Sequence, residues 1–250
     1  MILAVLIYFS IGWACAYKTN KYSWIDFFWS SSFILLTFYL FTTNTDHSLP
    51  VYILSSMIMI WSFRLSSHLF VRIKKHSEDS RYLPLIKRWG PKTPLYFYLV
   101  FIGQGLLNLI LILPLYYTYK HGVNDLSILQ IFSIIVFIDS IILEAIADNQ
   151  LKKFISKKEN KGLVCKVGLW KYSRHPNYFF ESMIWLSFSL FSLSYSPVAI
   201  VPYIIMLILL RFVTGVPPAE ASSLNSKPEK FKIYQKETNI FIPMPKNKIN

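Results

Sequence analysis

Gly168-Leu169-Trp170-Lys171-Tyr172-Ser173-Arg174-His175-Pro176-Asn177-Tyr178-Phe179-Phe180-Glu181-Ser182-Met183-Ile184-Trp185 runs from a basic segment into an apolar one without a break. Its polar residues sit where a water-facing loop becomes a buried helix. Pro176 has no amide proton and a fixed φ, both suited to a first helical turn, which predicts a helix from Pro176. On that helix Asn177, Glu181 and Trp185 recur every fourth residue and share one face. The free amide protons of the first turn, with Arg174 and His175 just before it, form a place for a phosphate or another anion. The same residues admit a plainer role, with Arg174 and His175 snorkelling toward lipid headgroups and Asn177 capping the helix. Glu181 weighs against it, because a carboxylate inside an apolar helix is costly unless it pairs or lines a cavity.

Outward from this stretch, the chain of 250 residues is 54% hydrophobic, 17% aromatic and only 16% charged, so its main solvent is a bilayer. Apolar runs of spanning length, about 17 to 25 residues, lie at Ile2–Tyr17, Trp24–Thr42, Leu49–Phe70, Leu95–Thr118, Leu126–Ala147, Tyr178–Tyr195 and Pro197–Gly215. The prediction is an all-α polytopic membrane bundle of about seven transmembrane helices. Residues 1–250 form one integral-membrane domain, with a three-helix half over 1–94 and a second half over 95–250.

The net charge of +13 would suggest nucleic acid in a soluble protein, so its distribution decides its meaning. Of the 26 Lys and Arg residues, 23 fall between Lys18 and Tyr22, Arg72 and Lys92, Lys152 and Arg174, or Lys227 and Lys248. With seven spans these segments share one side of the membrane, which the positive-inside tendency makes the cytoplasm. The amino terminus is then outside and the carboxyl terminus inside. The charge marks topology rather than a nucleic-acid partner, and the basic loops also suit a polyanionic cofactor. Ala14-Cys15-Ala16 resembles a signal cleavage site, but no Lys or Arg precedes the apolar run, so residues 1–17 are read as an uncleaved span. Cys15 and Cys165 are too few for a disulfide framework, and the histidine spacings fit no zinc or haem site, so no metal is expected. A dinucleotide-binding glycine motif and a phosphate-binding Walker loop are absent.

Among the first three spans, Asp26 has Trp29 one turn on, and Arg64, His68 and Arg72 form a row on the third. An arginine inside an apolar run faces protein, water or a phosphate, which singles out Arg64; His68 and Arg72 read as interfacial snorkelling. Glu78-Asp79-Ser80-Arg81-Tyr82 and Trp89-Gly90-Pro91 mark a cytoplasmic connection. In the fourth span Gly103, Gln104, Gly105 and Asn108 read as helix-packing residues. In the fifth, Glu144 and Asp148 share a face while Asp139 points nearly opposite. Asp148 is placed to accept from ribose hydroxyls or to pair with Arg174, or else to bridge to Lys152. The last span carries Arg211 and is stopped by Pro217-Pro218. The tail, through Phe231, Tyr234 and Phe241-Ile242-Pro243, is either a lid folded over the site or an amphipathic surface segment.

Glu144-Ala145-Ile146-Ala147-Asp148-Asn149-Gln150-Leu151, the quoted stretch through Glu181, Gly215-Val216-Pro217-Pro218-Ala219-Glu220 and the tail from Phe231 to Pro243 occur in that order. Together they resemble the steroid 5-alpha-reductase carboxyl-terminal family, most closely its mostly bacterial multi-pass membrane branch. Asp26, Trp29, Arg64, His68, Glu78 to Tyr82 and Gln104-Gly105-Leu106 fit as well, so the resemblance covers nearly the whole chain. It implies a seven-helix membrane oxidoreductase that uses NADPH to reduce a carbon–carbon double bond conjugated to a carbonyl, in a lipid of isoprenoid or steroid type. By position it implies cofactor contacts from Asp148, Asn177, Glu181 and Arg211, with Arg64 on the phosphate side. Arg174, His175 and Tyr178, from the branch's own motif, join the site by location.

Two residues depart from the resemblance. Trp61 stands where the steroid reductases have the tyrosine that polarises the carbonyl, which leaves Asp26 and Tyr178 as candidate donors, and Phe180 stands where the branch usually has glycine. Arg174-His175-Pro176 before a helix also resembles the isoprenylcysteine carboxyl methyltransferases, which makes S-adenosylmethionine the alternative cofactor. Pro218-Ala219-Glu220-Ala221 lacks the paired glutamates usual there. A non-catalytic lipid-binding membrane protein is the third reading. The expected location is a bacterial inner membrane, with the endoplasmic reticulum second.

Overall fold

The computed structural model describes residues 1–45, 47–75, 77–79, 81–121 and 125–245. Ser80 of the loop motif and Lys246 and Lys248 of the basic tail lie outside the described residues. Eleven α-helices follow one another: α1 Ile2–Thr19, α2 Trp24–Thr43, α3 Leu49–Lys75, α4 Leu83–Trp89, α5 Thr93–Leu111, α6 Leu113–Lys120, α7 Ile128–Ser156, α8 Pro176–Leu193, α9 Val201–Ile208, α10 Val216–Ser226 and α11 Pro228–Glu237. No strand occurs among the described residues. The protein is an all-α, multi-pass membrane bundle.

Among the described residues six stretches are long and apolar enough to cross a bilayer: Ile2–Thr19, Trp24–Thr43, Leu49–Lys75, Leu83–Lys120, Ile128–Ser156 and Pro197–Ser226. The fourth is one run broken by prolines, which stand in the first turns of α4, α5 and α6. The expected sixth span is α8, which begins at Pro176 as the sequence predicts but is not among the six. None of its 18 residues is exposed. A helix with no exposed residue has less need of uniform apolarity. Ser182 and Ser187 return their hydroxyl protons to the carbonyls of Phe179 and Ile184, at 2.7 and 2.6 Å.

The chain folds as two compact units, neither continuous in sequence: residues 1–131 with 188–202, and residues 132–187 with 203–250. In the first, α2 pairs with α3 and α1 with α5. The α1–α5 approach is set by small residues: a Cβ on Gly105 would stand 2.7 Å from the Phe9 ring and 2.9 Å from Val5. Asn108, fully buried on α5, donates across to Ser32 Oγ at 2.6 Å and to the Trp29 carbonyl at 3.0 Å. Gly105 and Asn108 thus pack helices, as expected. Ser62 on α3 donates to the Ser30 carbonyl on α2 at 2.6 Å.

An ionic clasp closes the water-facing end of this unit. Asp26, in the first turn of α2, accepts from Arg81 at 2.5 Å, Arg72 at 3.0 Å and the Tyr82 hydroxyl at 2.7 Å. Asp79 accepts from both arginines, at 3.0 and 3.1 Å. Burial pushes the Asp79 carboxyl up, but Arg81 and Arg72 outweigh it and hold it below the usual carboxylate range. Glu78 accepts from the amides of Tyr22 and Ser23 at the start of α2. Arg72 therefore does not snorkel as expected: two acids are in reach of it, and pairing satisfies a guanidinium better than an interface does.

Asp26→Ala removes the shared acceptor from two arginines that are only partly exposed. It is expected to cost about 1–3 kcal/mol, below the value for a fully buried pair. Limited trypsin digestion should then cut the 72–88 region sooner than in the unaltered protein. Glu159→Ala, which touches only an exposed pair with Lys157, should leave the digestion rate unchanged.

Candidate functional site

The second unit is organised around the loop before α8. Gly168 takes φ +54°, open to glycine at little cost, and a Cβ there would stand 2.1 Å from the Gln150 amide nitrogen. That close approach lets Gln150 on α7 accept from the Leu169 amide at 2.9 Å. The Trp170 indole donates to the Ala147 carbonyl at 3.0 Å and pins the following turn to the same helix. The tail holds the loop from its other side. Tyr234 donates to the Trp170 carbonyl, Ser173 donates to the Phe241 carbonyl at 2.7 Å, and the Met244 amide donates to the Tyr172 carbonyl at 3.0 Å. Phe231, Tyr234 and Phe241 are buried. The tail folds back onto this loop.

Arg174 is 8% exposed, and its Nε and Nη1 donate to protein. Nε donates to Glu220 Oε1 at 2.6 Å, and Nη1 to the carbonyls of Thr238 and Gln235 at 2.6 and 3.0 Å. Its main-chain amide donates to the Asn239 carbonyl at 2.8 Å. Glu220 holds the neighbours too: His175 Nε2 lies 3.3 Å from Oε1, and Gln235 Nε2 donates to Oε2 at 2.9 Å. The His175 ring stacks on Tyr178 at 5.6 Å and 8°. Burial pushes the His175 imidazole below the usual histidine range; Glu220 offsets part of this, and the charges of Arg174 and Arg211 add to it.

One turn along, Asn177 Nδ2 donates to Asp148 Oδ1 at 3.2 Å, joining the first turn of α8 to α7. Asn177 Oδ1 is buried and accepts from no described residue, which leaves an unfilled acceptor beside Asp148. Glu181 accepts from the Trp185 indole at 2.9 Å along its own helix. Glu144 is buried and Asp139 exposed, as their opposite faces require. The last membrane helix ends in a π-helical turn, Leu209–Val213, followed by Gly215, whose missing Cβ would overlap the Leu210 carbonyl. Such turns redirect side chains at the end of a helix. Here the Arg211 guanidinium lies over the Phe212 ring at 4.9 Å and makes no hydrogen bond or ion pair with the described residues.

The second unit thus brings together Asp148 with Asn177, and Arg174 with His175 and Tyr178, while Arg211 stands near enough to His175 to act on its charge. Arg64 and Asp26 lie in the first unit. Trp61, at the position where a tyrosine was sought, is buried there among the rings of Trp29, Phe33 and Phe188. Glu220 was quoted in the sequence motif without a role. Its signal was a lone acid just past two prolines, but its partner Arg174 lies 46 residues earlier. The tail carbonyls that complete the arginine shell carry no side-chain signature.

Glu220→Ala leaves a buried guanidinium with carbonyls alone. The expected loss is about 3 kcal/mol, read as a lower thermal midpoint in detergent, with Glu220→Gln recovering part of it. The histidine gives a separate signature. Its folded proton affinity is lowered, so as pH falls through the ordinary range near 6.5 the unfolded chain takes up the proton first and stability is lost. Thermal midpoints between pH 8 and pH 5 should fall, and His175→Gln should flatten that fall.

No curated protein and no solved structure matches the chain. Residues 12–238 match one family, and by that match the chain belongs to the family described as protein of unknown function DUF1295.

Proposed function

We propose that this chain is a membrane-embedded reductase that uses NADPH to reduce a carbon–carbon double bond conjugated to a carbonyl in a lipid of isoprenoid or steroid type. The observation that carries the reading is the unfilled, buried Oδ1 of Asn177, held beside Asp148 on the first turn of α8, with the uncommitted cation of Arg211 on the same unit. A buried acceptor without a donor is costly, and a ligand amide or hydroxyl supplies one. A guanidinium with open donors takes a phosphate. These two demands fit a dinucleotide. The resemblance to the steroid 5-alpha-reductases, beside which this reading sets the matched family, adds the reaction class. With the basic segments on the cytoplasmic side, the cofactor enters from the cytosol.

When bound, the cofactor supplies the hydride. The chain's own residues bind and orient. Asn177 and Asp148 take hydrogen-bond donors, and Arg211 takes negative charge. Arg174 is anchored to Glu220 and the tail through Nε and Nη1 and forms a wall of the site. His175, kept neutral by burial, presents an imidazole without placing another cation beside Arg211.

The test is binding of NADPH, NADH and S-adenosylmethionine to purified protein, followed by thermal shift and calorimetry. NADPH is expected to stabilise, with Asn177→Ala and Arg211→Ala each weakening binding about tenfold while leaving the ligand-free midpoint within a few degrees. Stabilisation by S-adenosylmethionine and none by NADPH would replace the reductase with a methyltransferase. Undiminished NADPH binding in both variants would remove the site assignment.

A further inference from the structure

The two ring nitrogens of His175 are placed differently. Nε2 lies 3.3 Å from Glu220 Oε1, the oxygen that also accepts from Arg174 Nε at 2.6 Å. A carboxyl group that takes a guanidinium at that distance is ionised, and an ionised carboxylate only accepts. Nε2 therefore carries a proton. The ring is 6% exposed and stacks on Tyr178, and burial together with the charges of Arg174 and Arg211 keeps it neutral. A neutral imidazole with its proton on Nε2 has a bare lone pair on Nδ1. That lone pair accepts from no described residue.

Glu220 makes the choice between the nitrogens. It is itself held in place, by Arg174 Nε on one oxygen and by Gln235 Nε2 at 2.9 Å on the other. The charged and titratable groups about the ring are thus Arg174 beside it, Tyr178 on α8, Glu220 on α10 and Arg211 at the end of the last membrane helix. A group that meets Nδ1 has to donate, as a hydroxyl or an amide does. Because the Arg211 guanidinium is near enough to act on the charge of His175, that group also stands beside a place for negative charge. A ribose hydroxyl next to its phosphate has both properties. Dinucleotide folds of the Rossmann type meet such a hydroxyl with a carboxylate. Here a carboxylate would pair with Arg211 and repel the phosphate, whereas a neutral nitrogen takes the hydroxyl and leaves the guanidinium open.

We propose that His175 accepts a ribose hydroxyl of the bound nucleotide at Nδ1, and that Glu220 is the positioning residue that holds the ring in its Nε2–H tautomer. This rests on the nucleotide reading above and adds the acceptor, its tautomer and the residue that sets it. The full chain in detergent, with its histidines labelled with nitrogen-15, gives the tautomer by NMR without a ligand, the His175 signals being those lost in His175→Gln. At pH 8 the expected pattern is a proton on Nε2 and none on Nδ1, and saturation with NADP+ should move the Nδ1 resonance far more than that of Nε2. Calorimetry with NADP+ is the second arm. His175→Gln keeps an amide that can donate to Glu220 and has nothing at Nδ1, so affinity at pH 8 should fall about tenfold. The folded proton affinity of His175 is lowered, so the acceptor is lost as pH falls below the ordinary range near 6.5. The ratio of the two affinities should therefore shrink from pH 8 to pH 5. The 2′-phosphate of NADP+ titrates alike with both proteins and cancels from the ratio. A proton on Nδ1 in the ligand-free protein, an Nδ1 resonance unmoved by NADP+, or equal affinity in the variant would each overturn the proposal. So would a ratio that widens toward pH 5, the result an imidazolium binding phosphate gives. Those outcomes leave the nucleotide reading standing, whereas no binding of NADP+ to the unaltered protein removes that reading and this proposal with it. If His175→Gln fails to fold, the signals are assigned by loss of the Tyr178 ring current in Tyr178→Leu, and the two NMR measurements decide.

Discussion

A guanidinium removed from water has to be answered by acceptors, and in this protein the answer to Arg174 shapes the second unit. Glu220 accepts from its Nε, and the carbonyls of Gln235 and Thr238 accept from its Nη1. Those acceptors come from α10, from the end of α11 and from the tail, segments that are polar and short and that would hold little structure by themselves. Breaking such an arrangement at one partner leaves an uncompensated charge, which is why it behaves as a fixed point. The tail is thereby part of the fold. Its aromatic residues are buried because the arginine has already drawn its backbone in, and Phe241 reaches the Phe179 ring as a consequence.

The same rule governs the polar residues inside the bundle. On α8 the hydroxyls of Ser182 and Ser187 are repaid within their own helix, and that of Ser192 by the Pro114 carbonyl at 2.8 Å. Glu181 borrows an indole proton one turn away. Asn108 bridges α5 to α2. Where a group is left over, the imbalance is informative: Asn177 Oδ1 is enclosed by protein and has no donor among the described residues, which argues for a ligand.

Membrane character, helix order, the helix start at Pro176 and the opposed faces of α7 were legible in the sequence, since bilayer thickness and helical periodicity leave few alternatives. The pairings were not. Asp26 was read as one of two candidate donors, beside Tyr178; the fold adds that it accepts from Arg72, Arg81 and Tyr82 and serves as the knot of a clasp. Arg72 was read as snorkelling to the interface; its partners come from α2 and from the loop after α3. Glu220 carried a motif and no role, because its role depends on a residue two helices earlier.

The amino-acid sequence by itself determined an all-α membrane protein, since long apolar segments in lipid must satisfy their backbone internally and the helix is the element that does so. It also determined which polar residues would be expensive to bury. Only the tertiary structure decided how each expense is met: Arg174 by Glu220 and the tail, Asp148 by Asn177, Asp26 by two arginines, Arg211 by nothing else in the described chain. Hydrogen bonds act within about 3 Å, and residues that far apart in space can be any distance apart in sequence.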